Sequence, residues 1–217
     1  MQKHVEVALK SLRSVKTPHD EKLWEREWET IEGILTFLGI PTGEIGRVAD
    51  VGCGGREMAV GAKKRGIDYE GFDIESGNLE SDPLPAEPES IDLVFALALI
   101  EHLHNPDNFI REALRVLRPG GVLFLSTPNW QYSWRNFFDN PAHVQPYTPK
   151  ALRILLQAYG FESVAVLPGL RVRSRRAYFG RAPFFRAAFR PFRGPGFPRF
   201  LTGKSTSIFA VAVVPES

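Results

Sequence analysis

Residues Arg47 to Gly66 read RVADVGCGGREMAVGAKKRG, and the order of residue types in this stretch decides the fold. An apolar run, Val48, Ala49 and Val51, stops at the glycine cluster Gly52, Gly54 and Gly55. Arg56 to Arg65 then predicts a helix, with Gly66 at its C′ position. The pattern is strand, glycine turn, helix. Glycine has no Cβ, so a ligand can approach the backbone of such a turn closely, and the first unpaired N–H groups of the helix point at it. A nucleotide-like cofactor is the natural occupant.

Spacing narrows the choice of cofactor. A dinucleotide fingerprint needs a third glycine where Glu57 stands, which disfavours a nicotinamide enzyme, and no Gly-Lys-Ser/Thr follows to make a phosphate loop. What stands here is Asp50-x-Gly52-x-Gly54, which resembles motif I of the class I S-adenosylmethionine-dependent methyltransferases. Their cofactor carries a sulfonium and an ammonium and no phosphate, so a carboxylate beside the turn is electrostatically sensible. The departure is Arg56, where many members of that family carry another glycine.

The resemblance extends along the chain. Ser90-Ile91-Asp92-Leu93-Val94, continuing through Glu101-His102 to Pro106, is similar to the family's fourth-strand signature. Leu117-Arg118-Pro119-Gly120-Gly121, Ser126-Thr127-Pro128-Asn129 and His143-Val144-x-x-Tyr147-Thr148-Pro149 follow in the family's order. The resemblance implies a cofactor set of Asp50, Gly52, Cys53, Gly54, Asp73, Ile74, Asp82, Pro83, Ala96 and Leu97. Asp73, ending the second strand about 20 residues beyond the turn, is placed to accept both ribose hydroxyls. Asp82, just before Pro83-Leu84-Pro85, corresponds to the family's acid that contacts the adenine amino group.

The implied architecture is an α/β, Rossmann-like three-layer sandwich with a mostly parallel sheet and an antiparallel last strand. Strands are expected near Val48 to Val51, Tyr69 to Asp73, Ile91 to Leu99, Val122 to Ser126, Phe161 to Leu167 and Ser207 to Val214. Helices are expected at Lys22 to Leu38, Asp107 to Leu117 and Lys150 to Tyr159, the last capped by Thr148 with Pro149 at N1. Ile74 to Ser90 is too short and proline-rich for a full helix and strand, so the third strand is expected as a stub at Asn78 to Ser81. An edge strand can be trimmed without breaking a sheet, whereas a central one cannot. Residues 1–43 read as a helical extension and 44–217 as the methyltransferase domain, with an insert at 169–203.

Composition bounds the rest. Of the 217 residues 43% are hydrophobic and 24% charged, as in ordinary soluble domains, and Cys53 is the only cysteine, which fits a reducing, cytoplasmic setting. The N-terminus shows no secretory pattern, and no apolar run is long enough to span a bilayer. The net charge of +2 conceals ten basic residues and no acid between Arg171 and Lys204, leaving 17 basic against 25 acidic elsewhere. That insert also holds eight aromatics. Three roles suit it: a cap over the substrate pocket, a peripheral contact with a membrane surface or lipid phosphate, and, as the weakest, an RNA groove, since no recognised RNA module accompanies it.

Methyl transfer needs chiefly that the acceptor be held in line with the activated methyl. A hydroxyl acceptor also benefits from a general base, for which His102 and His143 are the candidates, because both loops follow strands at the cofactor end of the sheet. No metal site is expected, since His102 and His104 alternate and no ligand set of the right spacing accompanies them. The sequence thus predicts transfer of a methyl group to oxygen or nitrogen of a small or lipid-linked acceptor. The alternative is a catalytically silent binding protein of the same fold that acts through the insert.

Overall fold

The computed structural model describes residues 21–168 and 206–216. In chain order the elements are α1 (Glu21–Phe37), β1 (Arg47–Val51), α2 (Met58–Lys64), β2 (Asp68–Phe72), β3 (Ile91–Leu97), α3 (Asp107–Val116), β4 (Leu117–Pro128), α4 (Trp130–Ser133), α5 (Pro149–Ala158), β5 (Ser163–Pro168) and β6 (Ser207–Val213). The weak first helix expected near the N-terminus and the basic aromatic insert lie outside the described residues.

The six strands form one sheet in the order β2-β1-β3-β4-β6-β5. The first four are parallel, and β6 runs antiparallel between β4 and β5, as expected of the last strand. β3 is flanked by strands on both edges and covered on both faces, which explains its unbroken IDLVFAL sequence. Alternating residues send side chains to two separate cores. Val48, Leu93, Phe95, Phe124 and Val211 meet α1 and α2, while Ala49, Val51, Val94, Ala96, Leu123 and Leu125 meet α3 and α5.

α1 is a working layer of the sandwich. Trp28, Ile31, Ile34 and Leu35 on its inner stripe are at most 1% exposed. The Trp28 indole donates to the Met58 carbonyl at 2.8 Å and meets Phe95 edge-on. A Cβ on Gly61 would stand 2.1 Å from Trp28 Cδ1, so only glycine lets α2 approach this ring. Arg65 then clamps the two helices, reaching Glu32 at 2.6 Å and Glu25 at 2.8 Å.

Two local readings are revised. The third-strand stub does not form: Asn78 to Ser81 is a turn, with the Asn78 carbonyl accepting the Ser81 and Asp82 N–H groups. β2 is therefore the edge of the sheet, and the segment that replaces a strand and helix is a strap pinned to α3. Asn108 donates to the Leu79 and Asp82 carbonyls, Glu112 accepts from the Leu84 N–H, and Arg115 reaches the Leu84 and Ala86 carbonyls. The second revision concerns Arg118 to Gly121, which is no free turn. Ile91 pairs with Leu117 and Leu93 with Val122, so these four residues bulge out of a continuous β4. Asp92 stabilises the bulge, binding the Arg118 guanidinium with one oxygen and the Gly46 and Arg47 N–H groups with the other.

Candidate active site

From β1 the chain proceeds to β2 on one side and then crosses to β3 on the other, so the switch point of the sheet lies between β1 and β3. In open α/β sheets ligands bind outside the carboxyl ends of the strands at that point. The glycine loop after β1 and the segment Ala98 to His102 after β3 face each other there. A Cβ on Gly52, whose φ is +78°, would come within 2.9 Å of Leu99, so the close approach of the two loops requires glycine. The Gly52 and Cys53 N–H groups both donate to the Phe72 carbonyl, at 2.7 and 3.2 Å, which ties the loop to the end of β2. Just beyond, the Gly54 N–H donates to the Asp73 carboxylate at 2.6 Å.

Asp50 is set below this loop. It is 4% exposed and accepts the Tyr69 hydroxyl at 2.6 Å. Burial pushes its carboxyl up to about 7, against the opposing pull of that hydrogen bond. Cys53 is a buried thiol pushed up to about 11 by desolvation, in keeping with a filler rather than a nucleophile. Arg56 stands where many members of the family carry another glycine, and it adopts the left-handed conformation itself, at φ +59°. The turn thus keeps its shape at the cost of strain in a non-glycine residue, on the order of 1–2 kcal/mol.

A cleft of about 510 Å³ opens from Asp73 past Asn78, Leu79 and Glu80 to Leu99 and His102, a size suited to a small organic ligand. Its far end holds a second constellation. His102 Nδ1 lies 2.8 Å from the Ala142 carbonyl, and His143 Nδ1 lies 2.8 Å from the Phe137 carbonyl. A carbonyl only accepts, so each Nδ1 carries a proton, and the lone pair of the neutral form lies on Nε2. The rings stand 4.8 Å apart, edge to face. Beside them Glu101 is 1% exposed, and its carboxyl is pushed up to about 7 by burial. Three buried oxygens here, Glu101 Oε2, Thr127 Oγ1 and Tyr147 OH, have no partner within hydrogen-bond distance among the described residues. Trp130, Phe137 and Phe138 pack edge-on against one another and continue from His143, while Tyr132, Trp134 and Phe138 turn outward.

A family model described as a methyltransferase domain matches residues 23–166, two thirds of the chain. The chain belongs to this methyltransferase family. A Mycolicibacterium smegmatis protein named "Probable S-adenosylmethionine-dependent methyltransferase" is 40% identical over 82 residues, covering 36% of this chain and 32% of that protein. The ubiquinone biosynthesis O-methyltransferase of Cupriavidus pinatubonensis is 34% identical over 134 residues, covering 52% and 51%. The chain therefore spans a third to a half of the length of these curated relatives. Among solved structures, an Archaeoglobus fulgidus S-adenosylmethionine-dependent methyltransferase matches the fold with a TM-score of 0.56 at 19% identity, covering 87% of this chain and 94% of that one.

Within this methyltransferase domain the structure gathers most of the residues singled out by sequence. The Gly52, Cys53 and Gly54 amides are tied to Phe72 and Asp73, of which Asp73 lines the cleft, and Ile74 opens the 3₁₀ turn that follows. Ala96 and Leu97 end β3 beside them. Asp82 and Pro83 stand apart: the Asp82 carboxylate is engaged by the Asn78 N–H and the Ser81 hydroxyl, closing its own turn, and Glu80 rather than Asp82 lines the cleft. Trp24 lines a smaller hollow with Gly55 to Lys64, away from the main cleft. His102 and His143 do converge. Sequence reasoning passed over Glu101, Thr127, Tyr147 and the aromatic run Trp130 to Phe138; only the density of aromatics after β4 signalled the last of these.

Proposed function

We propose that this methyltransferase domain binds S-adenosylmethionine across the Gly52–Gly54 loop and transfers its methyl group to an oxygen of a small or lipid-linked acceptor. The observation that carries the reading is the Asp73 carboxylate, held beside the Gly54 N–H at the mouth of a cleft that ends at His102. A carboxylate in that position accepts a pair of vicinal hydroxyls, as a ribose offers, and the glycine loop leaves room for the methionine end.

Methyl transfer is an in-line displacement at an activated carbon. Holding the acceptor against the methyl supplies most of what is needed, about 7–11 kcal/mol of the barrier. His102 and His143 are positioned to take the proton of a hydroxyl at Nε2, the nitrogen that their Nδ1 contacts leave basic. The aromatic cluster of Trp130, Phe137 and Phe138 offers an apolar wall to the acceptor. The names of the O-methyltransferase relatives support oxygen as the receiving atom. The basic, aromatic stretch 171–204 suits an anionic lipid surface, where a lipid-linked acceptor would reside.

Calorimetric titration with S-adenosylmethionine and, separately, with NAD tests the cofactor, with micromolar affinity for the first alone expected. An acceptor panel of phenols, lipid-linked phenols and amines tests the rest. Absence of S-adenosylmethionine binding would sink the reading, and turnover on amines without turnover on hydroxyls would overturn the choice of atom.

A further inference from the structure

Glu101, His102 and His143 each offer a ligand atom, and the three atoms lie within 4.8 Å of one another. They come from two loops: Glu101 and His102 from the turn after β3, His143 from the segment leading to α5. The Val144 and Gln145 N–H groups lock the loops together by donating to the Glu101 carbonyl, at 2.8 and 3.1 Å.

We infer that these three side chains hold a divalent transition cation of the Zn²⁺ type, leaving an open position for the acceptor's hydroxyl oxygen. The site stands on the geometry alone; its role rests on the function proposed above.

Three features carry the inference. The Glu101 carboxylate is buried with the Thr127 side chain facing it, and among the described residues Oε2 has no partner within hydrogen-bond distance and no arginine or lysine pairs with the group. A buried carboxylate without such partners is costly unless a cation meets it. Both imidazoles hold Nδ1 on a main-chain carbonyl, the usual second contact of a metal-binding histidine, which fixes the ring and leaves Nε2 as the nitrogen that can ligate. Finally, two nitrogens and one carboxylate with an open fourth place form the donor set of catalytic zinc, whereas Mg²⁺ and Ca²⁺ prefer oxygen throughout. Ligands sit about 2.0–2.2 Å from such an ion, so closure asks the set to contract by about an ångström.

With both imidazoles on the cation, the metal would take over the role given above to Nε2: an acceptor hydroxyl in the open position would lose its proton to water more readily, as metal-bound water does. Its oxygen then forms the new C–O bond as the C–S bond of the sulfonium breaks. The products are the methyl ether, neutral S-adenosylhomocysteine and one proton.

The test uses the full chain, freed of metal by a chelator and titrated with Co²⁺ and with Zn²⁺ alone, followed by visible absorption and calorimetry. One equivalent is expected, with the d–d bands of a low-coordinate histidine site. His143→Ala and the isosteric Glu101→Gln should each weaken binding at least tenfold, while His104→Ala, exposed on the same loop, should leave it unchanged. Absence of saturable binding, or equal affinity in His143→Ala and the parent, overturns the site. S-adenosylmethionine titration of the metal-free protein and of each variant separates the two claims. Cofactor binding without metal binding removes this inference and leaves the proposed function, and the converse removes the proposed function and leaves the site. Retained cofactor binding also shows that a variant has folded.

Discussion

The two ends of the cleft differ in how their polar groups are satisfied. At the β1–β2 end the pairing is complete: Asp50 holds the Tyr69 hydroxyl, Asp73 holds the Gly54 N–H, and the Phe72 carbonyl takes two loop amides. At the β3–β4 end Glu101, Thr127 and Tyr147 each bury an oxygen without a partner. The first end is built in advance, so that a ligand only has to exchange a few hydrogen bonds for its own. The second leaves buried oxygens without a partner among the described residues, which the cation inferred above would meet. One end is organised for affinity, and the other for whatever chemistry its occupant brings.

The largest effect should come from undermining the prebuilt end. Trp28→Ala removes the indole that seats α2 and with it the glycine loop, and about 3–5 kcal/mol of stability should be lost in denaturant unfolding. A loss under 1 kcal/mol would show that α1 is dispensable to that end. Next comes Asp73→Ala, which deletes the acceptor proposed for the ribose hydroxyls and frees the Gly54 amide. Cofactor affinity should drop about 100-fold in calorimetry, while His143→Ala at the other end should change it less than about threefold; two charged hydrogen bonds at about 1.5–3 kcal/mol each set that scale.

Smaller effects follow from Asp50 and Arg56. The Asp50 carboxyl sits near 7 in the folded chain, raised above its ordinary value of about 4, so the folded state retains the proton that the unfolded state releases. Stability from this group is full below about pH 4 and declines as pH rises to about 7, by up to about 1.4 kcal/mol per pH unit. Asp50→Asn keeps an acceptor for Tyr69 and should flatten that part of the profile; parallel curves for the two proteins in pH-resolved melts would count against it. The least effect is a gain. Arg56→Gly relieves a left-handed residue and should raise stability by about 0.5–1 kcal/mol, read as a higher melting temperature.

What was legible at each end follows the same division. The glycine loop, Asp73 and the Thr148 cap of α5, whose hydroxyl accepts the Ala151 N–H, were readable because each depends on residues adjacent in sequence or on strand ends of fixed period. The third-strand stub was not, because whether a short segment joins a sheet depends on competing partners, and here Asn108, Glu112 and Arg115 of α3 take its backbone groups. The Arg118 to Gly121 bulge hid for a similar reason: a Pro-Gly-Gly run reads as a turn unless the pairing of its flanks is known. Glu101 lay in a motif used for its resemblance, yet nothing local tells a buried glutamate from an exposed one.

By itself the sequence determined the strand, glycine turn and helix, the acid beyond them, the parallel order and the antiparallel last strand. The strand, turn and helix follow from periodicity and from backbone freedom at glycine, which act over a few residues; the order and direction of the strands are what the resemblance to the methyltransferase family implied. Only the tertiary structure decided that Asp50 faces Tyr69, that Asp82 closes its own turn, and that His143 meets Glu101 and His102. Those contacts join residues distant in the chain, and their distances and burial arise only once two layers have packed on the sheet.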